Sequence, residues 1–296
     1  MKTRTPLFSC RLPARLRPGA GIVLAAALLG LTAGCGMTAN QRSAAIRFSA
    51  AAGDLGTLAA NEFVRTRQDV IDMNMLRQEL GDTLEAGLDG GMTVERTRIR
   101  VQAAEALKEY GELLGTLTSH SEKDQIKAAT ESFLGSLRKV EGVALNDAQT
   151  GAIQQAVESV GGLLIEHLRK QAAREVVEAA HPSVVALAGL LVASFEAEGE
   201  EWSLAYETSA TALEGAALLP SAGRENAAKA RSVVERNRLR FEGIADQLIL
   251  AAKDVAAAHE ALNNVIIADE VSVERITEFV SEVQNLAQVY TILRAP

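Results

Sequence analysis

Glu178-Ala179-Ala180-His181 sets a carboxylate and an imidazole three residues apart. On a helix that spacing puts both on one face, as in the ligand pairs of di-iron bundles. Such a centre needs the motif twice, and His120, His167 and His259 have no Glu three residues before them. Pro182, directly after His181, is also expected to fray or break the helix. A helix-terminal ion pair or cap is therefore the plainer reading of Glu178 and His181, with a metal-binding or enzymatic bundle as the alternative. No His-Glu-x-x-His, phosphate-binding loop or Gly-x-Ser-x-Gly occurs, so the sequence assigns no catalytic residue, metal ligand or cofactor.

Two charge runs remain. Glu196, Glu198, Glu200 and Glu201 precede the single Trp, Trp202, and read as a solvated acidic turn rather than a cation site. Arg224, Lys229, Arg231, Arg236, Arg238 and Arg240, interrupted by Glu225 and Glu235, form the one basic concentration in an acidic chain. A charge run is usually a solvated face. The other reading makes Arg231, Arg236, Arg238 and Arg240 a partner-binding stripe for an acidic protein, a lipid headgroup or a cell-wall polymer. Arg236 and Arg240, four apart, share a helix face, and all of these arginines are expected to be exposed.

The stretch that fixes location lies at the other end of the chain. Lys2, Arg4, Arg11, Arg15 and Arg17 make a basic opening without an acid, and Ile22 to Leu31 are apolar or small. This is the layout of a secretory signal, and the apolar part falls short of the ~20 residues that span a bilayer. It ends in Leu31-Thr32-Ala33-Gly34-Cys35. Here the sequence resembles the bacterial lipoprotein family, whose signal closes on Leu, small residues and the Cys that is lipidated and becomes the mature N-terminus. Thr32 stands where Leu is commonest in that family. The resemblance covers only the first 35 residues and implies a diacylglycerol thioether and an amide-linked acyl chain, such as palmitate, on Cys35. Several chains anchor stably where one does not. Gly36 rather than Asp follows the Cys, which in the family implies the outer membrane, facing the periplasm.

Removing 34 of the 296 residues leaves 262, enough for a large core. The expected division is a signal at 1–34, lipidated Cys35 with a tether to residue 41, and one helical domain over 42–296. Cys10 and Cys35 are the two cysteines, so the mature domain has no disulfide to lean on. The signal carries five of the 30 basic residues and none of the 38 acidic ones, leaving 25 against 38, a formal charge of −13. That sign disfavours nucleic acid and wide contact with anionic lipid, and 4% aromatic content gives few stacking platforms.

The mature sequence is alanine-rich and helical in period, and only Pro182 and Pro220 interrupt it. The pattern predicts an all-α, elongated multi-helix bundle with coiled-coil-like hairpins. A first helix is expected from about Asn40 to Leu88, stopped by Asp89-Gly90-Gly91, and a second capped by Thr93. The third is expected to open on a Ser121 capping box, and the fourth to run from Asn146 or Asp147 to Ala180. Val184 to Phe195, apolar nearly all round, reads as a fully buried core segment rather than a pore-forming insert. Phe241, Ile244, Leu248, Ala251, Val255, Ala258, Leu262 and Val265 make a heptad seam, with Ala252 off it and polar Asn237 extending it upstream. Ile276, Phe279, Val283, Leu286, Tyr290 and Leu293 answer as an antiparallel hairpin. Leu-Gly-Thr/Ser-Leu recurs with Gly56, Gly115 and Gly135, each of which is expected to mark a close helix crossing. The expected function is a membrane-anchored scaffold or adaptor module of the cell envelope, with a protein or envelope polymer as partner.

Overall fold

The computed structural model describes residues 36–85, 87–119, 121–143, 145–160, 166–216, 221–268 and 272–294. Two compact units divide at Gly36. The signal segment and Cys35 lie outside the described residues. The larger unit carries seven helices, and no strand, among the described residues: α1 Ala39–Glu79, α2 Val94–Thr118, α3 Lys123–Leu137, α4 Asp147–Ser159, α5 Glu166–Ala216, α6 Ser221–Ile267 and α7 Glu274–Arg294. At 1.5 Å per residue the 51-residue α5 is about 76 Å long, so the all-α bundle of long helices expected from the periodicity is the fold. It begins at Ala39, three residues earlier than the expected boundary at residue 42.

Helix ends follow capping chemistry. Thr38 accepts from the Gln41 amide while the Gln41 side chain accepts from the Thr38 amide, a reciprocal box that starts α1. The sequence pattern carries this helix to Leu88, but it stops at Glu79. Gly81 takes φ 89°, its amide donates to the Gln78 carbonyl, and the Asp82 amide donates to that of Arg77. Those two bonds are the Schellman arrangement, which outweighs the apolar period of Leu84 and Leu88. Thr93 caps α2 as expected. For α3 the cap is Glu122, whose amide donates to Gln125 at 2.9 Å, while Ser121 bonds Ser119 instead.

The expected fourth helix is two. α4 ends at Ser159, and a new helix, α5, starts at Glu166 and runs straight through Pro182. A proline inside a helix leaves the carbonyl four residues back without its amide. That carbonyl belongs to Glu178, and Glu178 and Pro182 both face solvent, so water meets the cost. Val177, Ala180, Val184 and Leu187 around them are fully buried, which holds the helix together.

α1 pairs antiparallel with α2, α5 with α6, and α6 with α7. Every residue of the α6 seam from Phe241 to Val265 is buried, as are Ile276, Phe279, Val283, Leu286 and Tyr290 of α7. Ala252 is buried too. α6 packs against α1, α5 and α7 together, so its inward face is wider than a two-helix seam. The run Val184 to Phe195 is only half inward: Leu187, Leu191 and Phe195 are buried, whereas Val185, Ala186, Gly189 and Ala193 are exposed. α5 still includes the one stretch among the described residues long and apolar enough to cross a membrane.

Two of the three recurrent glycines mark crossings. A Cβ on Gly56 would lie 2.5 Å from the Ala104 carbonyl, and one on Gly115 would lie 2.8 Å from Ser49 Oγ. Gly111, one turn before Gly115, is tighter still, 2.6 Å from the Ser49 carbonyl. Gly135 has open space around it, because α3 crosses no helix there at close range. Gly111→Ala should therefore force α1 and α2 apart and cost roughly 1–3 kcal/mol, while Gly135→Ala should stabilise by up to about 1 kcal/mol. Urea unfolding of the two variants tests this, and equal midpoints would rule out the close crossing.

Candidate functional site

Of the arginine stripe on α6, the backbone places Arg231, Arg236, Arg238 and Arg240 on one continuous helix, but their environments differ. Arg231 and Arg236 are exposed. Arg238 is held by Glu235 at 2.8 Å and Glu242 at 2.7 Å, pairs three and four residues apart on its own helix. Arg240 turns inward instead of facing solvent. Its two terminal nitrogens bond Glu62 and Asp69 of α1, which are 2% and 0% exposed.

That contact is the centre of a buried ionic layer. Thr66 lies between the two acids and donates to Glu62 at 3.3 Å. Arg100 of α2 reaches Glu201 of α5 at 3.2 Å, and Arg96 reaches the same carboxylate at 2.7 Å. Glu198 is buried in the same layer, not solvated. Burial pushes its carboxyl well above the ordinary range, with the Glu62 and Glu201 charges adding to the rise and Arg100 and Arg240 opposing it. Burial likewise raises Glu62 and Asp69 against the pull of Arg240. Asn237, 4% exposed, sits one turn before Arg240, and Trp202 stacks on Phe241 at 4.4 Å. Four helices thus spend their charges on one another.

A second polar constellation joins the histidines that the sequence separates. Glu178 is exposed on α5, and the structure pairs His181 with His259. The two Nδ1 atoms are 2.9 Å apart. His259 Nε2 lies 2.6 Å from the Tyr110 hydroxyl, and His181 Nε2 lies 3.6 Å from Glu260. Among the described residues no three His, Cys, Asp or Glu side chains gather as a metal site. Each of the two hydrogen bonds joins one donor to one lone pair, so a neutral His259 donates through one ring nitrogen and accepts through the other, in a chain linking the buried Tyr110 hydroxyl to the half-buried His181.

The surroundings of this chain are apolar. Phe48 from α1 packs on His259 and Tyr110, Phe133 from α3 on Tyr110, and Phe279 from α7 on Phe48. Burial, with His181 adding to it, pushes the His259 imidazole down to about 3, and burial also drives the Tyr110 hydroxyl up. Both are neutral at pH 7. No local sequence signal shows this relay, since its members are 71 and 78 residues apart on three helices. The buried position of His259 on the α6 seam, one residue after Ala258, is the only hint.

The fold and the buried layers define a helical bundle with internal polar networks. Comparison of the chain with protein-family models, curated proteins and solved structures gives no match.

Two outcomes follow from the buried charges. Arg240→Gln leaves Glu62 without its cation and Asp69 with only Arg65, at 3.2 Å, and should cost roughly 3–5 kcal/mol, whereas the exposed Arg236→Gln should change stability by under about 0.5 kcal/mol. Matched thermal unfolding of the two would place Arg240 at the surface if the shifts were equal. His259 has a folded pKa below its unfolded value of about 6.5, so the unfolded state takes up a proton first and stability falls as pH falls from about 6.5 toward 3. Between pH 7 and pH 4.5 that amounts to roughly 3 kcal/mol. Urea titrations across this range should show a shallower loss in His259→Gln, and parallel curves for the two proteins would refute a neutral buried imidazole.

Proposed function

We propose that this chain is a lipid-anchored lipoprotein of the bacterial cell envelope whose helical bundle serves as a scaffold or adaptor. One observation carries the reading: the basic opening and apolar segment end in Leu31-Thr32-Ala33-Gly34-Cys35, and the bundle starts four residues later at Ala39. An acylated cysteine placed so close to a helical body tethers the whole unit to a membrane. Gly36 after the cysteine favours the outer membrane and a periplasmic bundle.

The bundle's own architecture supports an interaction role. Arg100 and Arg240 are paired internally with acids, and its long outer faces expose isolated apolar groups such as Val64, Leu204, Leu239 and Ile292. Arg231 and Arg236 are the exposed members of the basic stripe and remain the candidate contacts for an acidic protein or envelope polymer, with Arg238 partly committed to its own helix. Exposed charges of this kind steer association and specificity more than they stabilise it.

In cells fed a labelled fatty acid, the wild-type protein should carry label and sediment with membranes. Cys35→Ser should carry none and accumulate as uncleaved precursor. A wild-type protein that takes up no fatty acid would overturn the reading.

A further inference from the structure

The start of α1 differs from the rest of this acidic chain. No Asp or Glu occurs between Cys35 and Asp54, so Arg42 and Arg47 give this stretch a local positive charge. Ala39, Ser43, Ile46 and Ala50 recur at steps of four and three along the outward face and are all exposed. Ile46 is 45% exposed. Arg42 and Arg47 flank this small and apolar stripe on either side. Met37, Ala39, Arg42, Ser43, Ile46 and Arg47 together line a shallow depression of about 650 Å³. Arg42 also bonds Glu166 at 2.5 Å, which neutralises the acid that α5 brings to this end. Arg47 is exposed and forms no ion pair among the described residues.

Covalent geometry then limits where this patch can be. Four peptide steps of about 3.5 Å separate Cys35 from Ala39, a reach of roughly 14 Å. If Cys35 carries acyl chains, the start of α1 stays within roughly 14 Å of the anchoring residue, close enough to touch the headgroups. Arginine beside exposed aliphatic groups suits that boundary, since the guanidinium meets phosphate while the side-chain stem and Ile46 enter the acyl edge. The anchor raises the local concentration of the patch at the membrane, so a weak surface suffices. Asp54 and the acids beyond it, more than about 22 Å along the helix, are repelled by the same lipid.

We propose that the outward face of α1 from Ala39 to Ala50 docks on anionic phospholipid headgroups, with Arg42 and Arg47 on phosphate and Ile46 at the acyl boundary. This inference rests on the acylation of Cys35 proposed above. Docking lays about the first three turns of α1 on the bilayer and holds the remainder of the bundle in a fixed direction instead of letting it swing on its tether.

An acylated cysteine has no thiol, and Cys10 lies in the removed segment, so Ile46→Cys gives the mature chain a single labelling site. Acylated protein carrying an environment-sensitive dye at that position is reconstituted in phosphatidylethanolamine–phosphatidylglycerol vesicles. Leu204→Cys, 38 residues or about 57 Å along α5 from Glu166, carries the same dye as a control. The dye at position 46 should be blue-shifted and shielded from aqueous iodide, and the dye at 204 should not. Arg47→Glu should abolish the shift without releasing the protein from the vesicles. A vesicle-bound protein whose position 46 is as water-exposed as position 204 would overturn the docking and leave the anchor intact. A shift already present in lipid-free protein made from residue 36 onward, which has no cysteine other than the introduced one and keeps the whole compact unit, would show that a second copy covers the face, and would also overturn it. Protein that carries no fatty acid and does not float with vesicles would remove the anchor and the docking together.

Discussion

The antiparallel register of α6 against α1 is what the rest of the bundle depends on, and the Arg240 guanidinium fixes it. Apolar helix faces made largely of alanine and leucine can slide by a turn with little loss, because one small side chain replaces another. A buried cation between Glu62 and Asp69 cannot slide, since moving α6 by one turn would strand Arg240 and Glu62 away from water and leave Asp69 only Arg65 of its own helix. At the other end of the pair, the Gln41 side chain donates to the Val265 carbonyl at 3.0 Å. The two contacts are 25 residues apart on α6 and in register. Between them His259 arrives at the level of Phe48, Tyr110 and His181. The relay is therefore a consequence of the same alignment, not a separate device.

The small residues of α1 and α2 set a second constraint of a different kind. Gly56, Gly111 and Gly115 let the backbones approach until Cβ atoms would collide, which excludes bulk but specifies no charge. Close approach brings the α1 acids and Arg100 of α2 into one layer, where Glu198 and Glu201 of α5 complete it. The glycines govern how near the helices come, and the ionic layer governs which residues face one another. Neither device needs a disulfide, and no cysteine follows Cys35 in the sequence.

This division also separates the internal charges from those free to act. An acidic protein whose Arg100 and Arg240 are taken up by buried or half-buried acids presents much of its surplus negative charge outward, and exposed positive groups stand out against it. They occur at the start of α1 and on the outer face of α6. Under the acylation proposed for Cys35, the patch on α1 lies beside the tether and the one on α6 lies on a different helix, away from it.

The sequence by itself determined the helical class, the α6 and α7 seams, the Thr93 and Asn146 capping positions, and the basic-apolar-cysteine layout of the first 35 residues. These are local or periodic features, set by side chains within one or two turns. It misjudged the end of α1, since a Schellman turn at Gly81 competed with an unbroken apolar period, and only the hydrogen bonds of the folded chain decide between them. It also placed Pro182 at a helix end, where tertiary packing of Val177, Ala180, Val184 and Leu187 carries the helix through. Arg240 looks like its neighbours Arg236 and Arg238 in sequence, and His259 like any histidine. What sets them apart is distance in the chain: Glu62 and Asp69 lie more than 170 residues from Arg240, and Tyr110 lies 149 residues from His259. Only a tertiary fold that stacks α1, α2, α5 and α6 in one register can bury those groups together, because burial and pairing belong to the assembly of helices and to none of them alone.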